Sequence, residues 1–273
     1  LRRKHLGEAW RDAVVRGTEF NRGDGLEMAL SLGGSPAGSW SGCHAIATDA
    51  GAPPYGDRSV PGDVYKKHSY PLGIVVNREG RRFLDEGLDF RNHTYARYGR
   101  AILGQPDGVA FQVFDQQVEP LLREEYRRPE ATVCRAETLE ELARQMGVDP
   151  RTFEHTVSEY NKSVGPGPFN PDRKDGKATT GVTPPKSNWA LPVSEPPFLA
   201  YPVLCAITFT FGGVAVDENG RLLTEERVPI PGVYAAGEMV GNLFFDNYPG
   251  GSGLISGATF GRKAGQHAGR WTR

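Results

Sequence analysis

Two polar features near the C-terminal end of the chain could together bind a ligand. The apolar run 233–236 is typical of a buried strand, and Gly237 and Glu238 follow it, which places a carboxylate at the carboxyl end of a sheet strand. The glycine-rich segment 250–253 precedes a stretch that predicts a final helix from near Gly253. Glycines let a ligand approach the backbone, and helix N-termini stabilise negative charge. The helix start predicts a site for a group that carries or develops negative charge, although a Gly-Gly-Ser-Gly segment alone could simply close a fold.

Length and composition limit the class of protein. The 273 residues suffice for one large domain or two smaller ones, and 38% hydrophobic with 24% charged residues is typical of a globular protein. The 32 basic side chains nearly balance the 33 acidic ones, so no general attraction to nucleic acid or anionic membrane is expected. The three cysteines lack metal-ligand spacing, which favours reduced thiols in a cytoplasmic protein and no metal site. No apolar run is long enough for a membrane span.

The residue pattern predicts alternating helices and strands. Helices are expected over 8–34 with a break at Gly23–Gly25 and Asp24 as an N-cap, over 93–103 and 116–126, from Thr138 to Gly147, and after Asp149. Strands are expected at 73–77, 109–114 and 233–236, with a hairpin over 212–223. The segment 35–63 is expected to be mostly irregular, and the proline-rich segment 165–199 to be a linker or an active-site border.

Taken together, the residues from Pro229 to Gly265 resemble the C-terminal signature of the fumarate reductase and succinate dehydrogenase flavoproteins. That family has a strand ending in Ala-Gly-Glu, a glycine-rich segment and a helix against the flavin ring. The resemblance implies FAD as cofactor and an α/β FAD-binding domain, of which residues 1–45 and 206–273 would be the C-terminal part. It also implies an inserted α+β capping domain for substrate over 46–205. Segments 40–45, 68–87 and 207–217 are most similar to the tricarballylate dehydrogenase branch.

The resemblance assigns cofactor contacts to particular residues. Glu238, after Gly237, matches the glutamate that bonds a hydroxyl of FAD. Asp24 lies in a segment similar to an element whose aspartate contacts FAD, although a helix cap would also account for it. The backbone amides that would face the flavin pyrimidine ring are those of Ser252, Gly253, Leu254 and Ile255.

The resemblance also suggests residues for the chemistry. Arg91 follows a hairpin similar to one that precedes the proton-transferring arginine of the reductases, and His44 lies near a substrate-clamping histidine. His68 and Tyr70 would flank the substrate pocket. Arginine is normally protonated, so a surface or carboxylate-clamping role for Arg91 stays open, as does a structural role for His68. We expect Arg91, His44 and Tyr248 to converge on one cleft facing the last helix.

Two substrate ligands of the reductases are replaced in this chain. Phe209, followed by Thr210, stands where they have a histidine, and Tyr248 stands where they have an arginine. Fumarate is therefore not the expected substrate. The favoured function is FAD-dependent oxidation of a C–C bond in a carboxylate, of the tricarballylate to cis-aconitate type. A tyrosine at 248 is similar to the ketosteroid dehydrogenase branch, where it helps to polarise a carbonyl, so a steroid-type enzyme is an alternative. A non-catalytic binding module is another.

The sequence contains no GxGxxG turn, with which this family begins its FAD-binding domain. By comparison with the family, the chain is expected to be a fragment whose partner is the missing N-terminal part of its own FAD domain. Alone, it should bind FAD weakly or not at all and be inactive. No motif indicates the electron acceptor.

Overall fold

The computed structural model describes residues 1–57, 59–60 and 62–271. Its helices are α1 (Arg2–His5), α2 (Asp24–Ser31), α3 (Arg91–Leu103), α4 (Leu139–Met146), α5 (Pro150–Ser163) and α6 (Ser252–Trp271). Its strands are β1 (Val14–Val15), β2 (Pro36–Asp49), β3 (Ile74–Asn77), β4 (Val109–Phe114), β5 (Cys134–Ala136), β6 (Phe198–Val214), β7 (Arg221–Leu223) and β8 (Pro229–Tyr234). Among the described residues, no helix has both the length and the apolar character to cross a membrane.

The chain divides into two structural units. The first unit consists of Leu1–Ala45 and Ile207–Arg273, and the second consists of Ile46–Ala206. The chain passes from one unit to the other inside β2 and inside β6, which pair with each other. The second crossing lies one residue later than the sequence-based boundary, since Ala206 belongs to the second unit.

The second unit is an antiparallel sheet covered by helices. Strand β4 pairs with β3 on one side, where Val76 faces Phe111, and with β6 on the other; β5 also pairs with β6. Alternate residues of these strands point toward α4 and α5, so the apolar core lies between sheet and helices. The fully buried side chains of that core include Ile74, Val76, Val113, Leu142 and Phe153.

The first unit carries the elements at the two ends of the chain. Strand β1 pairs with β6, and β7 and β8 form a separate antiparallel pair. A small core of Ala29, Val214, Leu222 and Ala235 joins α2 to these strands. The turn before β7 uses Gly220 at φ 76°, where a side chain would meet Ala264 of α6 at 3.2 Å.

Several predicted helices and strands are confirmed, together with the capping residues that predicted the helix ends. Thr138 caps α4 by accepting a hydrogen bond from the Glu141 amide, and Gly147 ends that helix in the left-handed conformation. Asp149 caps α5 by accepting from the Thr152 amide. Helix α3 begins two residues before the expected position, and β4 has the predicted bounds.

Four expectations for secondary structure are wrong. Residues 8–22 contain only a short 3-10 turn and β1, because Gly17 interrupts the segment and Val14 and Val15 pair with β6. Residues 116–126 form two 3-10 turns, since Pro120 removes a backbone donor. Residues 36–49 form β2, although the Gly- and Ser-rich composition favoured an irregular segment. The last sheet strand is also displaced: β8 ends at Tyr234, and none of its residues is buried.

Asp24 is not the N-cap of α2. Gly23 occupies the cap position at φ 89°, and Asp24 is the first helical residue with no capping hydrogen bond. The Asp24 carboxylate is exposed there, beside the positive end of the helix dipole. The N-cap explanation for this aspartate is therefore removed.

The long segment 165–197 is irregular, as expected, yet it is fixed to the second unit by buried polar groups. Arg82 donates to the carbonyl oxygens of Pro184 (2.8 Å) and Pro185 (3.1 Å), while its Nε and Nη2 bind Glu86 at 3.0 and 2.6 Å. Lys186, fully buried, donates to the Gly73 carbonyl at 2.5 Å. These bonds make the segment part of the folded unit.

Candidate functional site

Glu238 lies at the meeting point of three segments in the first unit. It sits in the short turn Gly237–Met239, which Gly237 enters at φ 71°. One carboxylate oxygen accepts from the Thr210 amide at 3.0 Å, and the other accepts from the Asn21 side chain at 3.3 Å, across 217 residues. The carboxylate keeps an exposed face, yet surrounding protein atoms remove part of its water, and this desolvation raises the pKa of Glu238.

The segment that contains Asp24 packs against the same turn. A side chain at Gly25 would lie 3.1 Å from the Met239 sulfur, and Asn21 bonds Glu238 directly. The two segments predicted to contact FAD, far apart in sequence, are thus adjacent in the first unit. Sequence reasoning missed Asn21, although it lies within the segment that carries the resemblance.

A cluster of aromatic rings encloses His44. Its imidazole stacks on Phe209 at a centroid distance of 5.4 Å and meets the edge of Tyr248 at 4.8 Å. Phe209 and Tyr248 are themselves 4.9 Å apart, and Phe244 contacts both. Three of the residues predicted to act on substrate, His44, Phe209 and Tyr248, therefore form one contiguous surface.

The His44 imidazole is neutral at physiological pH. It is 2% exposed, and burial, followed by the nearby charge of Arg16, lowers the pKa of His44 to about 3. Arg16 donates to the Thr208 hydroxyl at 2.5 Å, beside Phe209. A neutral ring can donate or accept a hydrogen bond but offers no positive charge to a carboxylate.

The start of α6 is partly occupied by bonds within the chain. The Gly253 amide donates to the Tyr248 hydroxyl at 3.1 Å, the Ser252 amide to the Pro249 carbonyl at 3.2 Å, and the Ile255 amide to the Gly251 carbonyl at 3.3 Å. The side chains of Leu254 and Ile255 are 83% and 67% exposed. This helix start thus presents an apolar surface, and fewer unbonded amides than expected.

A pocket of about 180 Å³ opens between Glu238 and the aromatic cluster. Residues 208–211, Gly237, Phe244 and Gly253 line it. This volume is below the roughly 300–1,000 Å³ of pockets that enclose a whole small ligand. The pocket therefore accommodates one edge of a ring system or a small substituent.

In the second unit, the remaining predicted residues gather around the first turns of α3. The His68 ring meets the edge of Tyr95 at 5.1 Å, and the Tyr70 hydroxyl lies 2.7 Å from the Thr94 hydroxyl. The Arg91 guanidinium lies 6.0 Å from the Tyr95 ring. His68 and Tyr70 are buried, and burial raises the pKa of Tyr70. Tyr70 therefore supports the fold, and a direct role in binding substrate stays a prediction.

Arg91 differs from the other arginines around it. It is half-buried, and no hydrogen bond or ion pair joins its guanidinium to any described residue. Burial, followed by the positive charge of Arg123, lowers the pKa of Arg91. Five donors without a protein acceptor are available to an anion.

Comparison with known proteins decides the family. The model of the FAD binding domain matches residues 2–255. The chain belongs to the FAD-binding domain family. It is 31% identical to an NADH:acrylate oxidoreductase of Vibrio harveyi over 71% of this chain and 18% of that protein. It is 31% identical to a fumarate reductase (cytochrome) of Shewanella frigidimarina over 73% of this chain and 32% of that one.

Solved structures resemble this FAD-binding chain over nearly its whole length. The open conformation of a flavocytochrome c3 fumarate reductase matches with a TM-score of 0.69 and 27% identity, over 96% of this chain and 42% of that one. A 3-ketosteroid delta1-dehydrogenase from Sterolibacterium denitrificans matches with a TM-score of 0.69 and 25% identity, over 98% of this chain and 50% of that one. The chain thus spans half or less of the length of these proteins.

FAD is the cofactor of this family, and the residues of the first unit fit part of it. The Glu238 carboxylate can accept a hydrogen bond from a hydroxyl, which its open face permits. The exposed Leu254 and Ile255 offer an apolar surface to a planar ring. The open backbone at Gly251, where a side chain would meet nothing within 4 Å, leaves room beside the helix start.

Proposed function

We propose that this chain supplies flavin-ring and substrate contacts of an FAD-dependent dehydrogenase that oxidises a C–C bond of a carboxylate, of the tricarballylate to cis-aconitate type. The observation that supports it most is the half-buried Arg91 guanidinium, which has no acceptor among the described residues. Arginine donors that a fold leaves unmatched are suited to a carboxylate ligand. Relatives named for acrylate and fumarate, both carboxylates, agree with this choice.

The proposed chemistry needs a group to hold the substrate and a group to move a proton. Bound FAD supplies the acceptor for the hydride that leaves the neighbouring carbon. As a cation, Arg91 would hold a carboxylate of the substrate. To receive the proton released from the neighbouring carbon, Arg91 would first have to give up its own proton to solvent. Burial and then the charge of Arg123 lower the pKa of Arg91, which reduces the cost of that deprotonation.

A steroid-type dehydrogenase is the second candidate, and one contact favours it. The Tyr248 hydroxyl oxygen accepts from the Gly253 amide at 3.1 Å, which leaves its proton free to be donated to a substrate carbonyl. An accepted hydrogen bond makes the hydroxyl a stronger donor. This arrangement suits polarisation of a ketone, as in the candidate that Tyr248 first suggested.

Turnover distinguishes the two candidates. The chain, completed with the N-terminal part of a related FAD-binding domain and supplied with FAD and an artificial electron acceptor, would be incubated with tricarballylate or with a 3-ketosteroid, and products would be identified by mass spectrometry. We expect cis-aconitate from the wild type and none from Arg91→Gln, with Arg144→Gln as an exposed control. Conversion of the steroid alone would contradict the carboxylate proposal and support the second candidate.

A further inference from the structure

A second arginine stands beside the Arg91 site. The Arg123 amide donates to the Ser69 hydroxyl at 3.1 Å, and Ser69 lies between His68 and Tyr70 in the chain. The Arg123 side chain is 43% exposed, and its Nε donates to Glu125 at 2.9 Å. Its backbone is thus fixed to the segment that packs on α3, while its terminal nitrogens have no hydrogen bond to a described residue.

The two guanidinium groups are electrostatically coupled. The Arg123 amide bonds Ser69, and the next residue, Tyr70, bonds Thr94 in the first turn of α3. The Arg91 guanidinium lies at the start of the same helix, 6.0 Å from the Tyr95 ring, so the two arginines flank the same surface. In agreement with this placement, the charge of Arg123 acts after burial to lower the pKa of Arg91. Glu125 is the carboxylate that acts on both: it pairs with Arg123 and also attracts the Arg91 charge. Two cations that share one carboxylate repel each other, and an added anion would relieve this repulsion.

We propose that Arg91 and Arg123 together bind one carboxylate group of the substrate, with Glu125 orienting Arg123 through its Nε. Arg123 retains terminal N–H groups for a two-point contact, which a carboxylate matches in geometry and charge. The inference rests on the proposed function and narrows it: the substrate is a small di- or tricarboxylate, and a neutral ketone lacks the group that this pair requires. Arg123 is then a residue that determines specificity.

A binding experiment that needs no flavin tests this pair. Arginine side-chain NMR spectra of the full 273-residue chain would be followed during titration with tricarballylate, and in parallel with its neutral triamide. We expect saturable shifts of the Arg91 and Arg123 Nε–H signals with the acid and none with the triamide. The signal of Arg144, which is 68% exposed and paired with Glu140, should stay in place.

Variants supply the second readout. Arg123→Gln should weaken tricarballylate binding by about ten- to hundredfold, the loss expected for hydrogen bonds between charged groups. Arg123→Lys keeps the positive charge without the planar, two-point guanidinium contact, so its affinity for tricarballylate should lie between those of the wild type and Arg123→Gln. It also provides a test if Arg123→Gln does not fold. Arg144→Gln should bind as the wild type does.

The outcomes separate this inference from the proposed function. Wild-type affinity in both Arg123 variants, together with loss of binding in Arg91→Gln, would overturn the two-arginine site and leave the carboxylate dehydrogenase in place. Equal binding of the triamide, or no binding of tricarballylate by the wild type, would also overturn it. In those cases the turnover assay decides the function independently.

Discussion

His44 is buried among aromatic side chains, and this burial limits the chemistry that its imidazole can perform. His44 contacts Phe209 and Tyr248, and its imidazole stays neutral because solvent is excluded and Arg16 is near. The His44 imidazole can therefore form directional hydrogen bonds but does not act as a cation. The positive charge that a carboxylate needs must come from arginine.

The neutrality of His44 predicts a pH dependence of stability. Its folded pKa, about 3, lies below the unfolded value of about 6.5, so the unfolded chain takes up a proton as the pH falls below 6.5 and stability decreases. Between pH 7.5 and 5.5 this contribution should fall by about 1.4 kcal/mol. His44→Phe keeps an aromatic ring and removes the titration. Urea unfolding would measure the free energy of unfolding of both proteins at the two pH values. We expect it to decrease less in the variant than in the wild type. Equal decreases would show that folded His44 titrates normally.

Tyr248→Phe tests how the chain uses the hydroxyl beside Gly253. The variant leaves the Gly253 amide without its acceptor, so the free energy of unfolding should fall by about 0.5–1.5 kcal/mol. If the substrate is a carboxylate, the variant should raise KM for tricarballylate and change kcat little. If the hydroxyl polarises a ketone, kcat for a 3-ketosteroid should fall by about 10²–10³-fold. The split between KM and kcat in steady-state kinetics is the measurement.

Some site residues could be predicted from sequence because their motifs are local. Glu238 follows an apolar run and a glycine, and that string alone singles out Glu238 but not its partners Thr210 and Asn21. The bond from Asn21 to Glu238 joins residues 217 positions apart, and no local pattern encodes such a pair. The neutral state of His44 likewise depends on Phe209 and Arg16, which only the fold brings near it.

At the scale of elements, the segment 165–197 is irregular in backbone but firmly attached. The pair of Arg82 and Glu86 is almost fully buried, with side chains 3% and 0% exposed, and it binds the carbonyl groups of Pro184 and Pro185. The Glu86 carboxylate also accepts from the Val75 amide at 2.7 Å. One buried ion pair therefore joins strand β3 to the irregular segment.

Glu86→Gln should be strongly destabilising. The change leaves the buried Arg82 charge without its counter-ion, a loss that typically costs about 3–5 kcal/mol. Glu140→Gln is the matched control, since its pair with Arg144 is exposed and should contribute less than about 1 kcal/mol. Urea unfolding measures both variants, and a cost for Glu86→Gln no larger than that of the control would contradict the role of this pair.

The same attachment should protect the segment from proteolysis. Arg173, Lys174 and Lys177 offer trypsin sites within it. We expect slow cleavage there in the wild type and faster cleavage in Glu86→Gln, because local opening precedes cleavage. Fragments identified by mass spectrometry give the site, and equally rapid cleavage in both proteins would show that the segment is not held.

Helices with caps were predictable and the long strands were not, for physical reasons. The signals of α4 and α5 lie within a few residues, at Thr138, Gly147 and Asp149. Strands β2 and β6 gain their stability by pairing with each other, and the Gly- and Ser-rich β2 has a composition that disfavours a strand. Pairing between distant segments overrode local preference.

At the scale of the whole chain, the contacts suited to FAD lie in the first unit and are few. They comprise the Glu238 carboxylate, exposed apolar surface on α6 and a pocket of about 180 Å³. Three amides at the start of α6 already donate within the chain. The sequence has no GxGxxG turn to bind a pyrophosphate.

This inventory predicts weak binding of FAD by the 273-residue chain. A few hydrogen bonds, each contributing on the order of 0.5–3 kcal/mol, do not offset the several kcal/mol of freedom lost on association. The purified chain should be colourless, with an absorbance spectrum that lacks flavin bands. A yellow protein with one FAD per chain would contradict this account of where the binding free energy resides.

The two crossings inside β2 and β6 also determine the order in which the ribosome can complete the fold. The second unit, Ile46–Ala206, is continuous, and its two ends are close, as the bond from the Ala50 amide to the Pro202 carbonyl at 2.9 Å indicates. It has all its residues before Ile207 is synthesised. Residues 1–45, in contrast, lack β6, Glu238 and α6 until residues 198–271 have been synthesised. Residues 1–45 must therefore wait while the second unit folds, which reverses the usual N-terminal-first order for these two units.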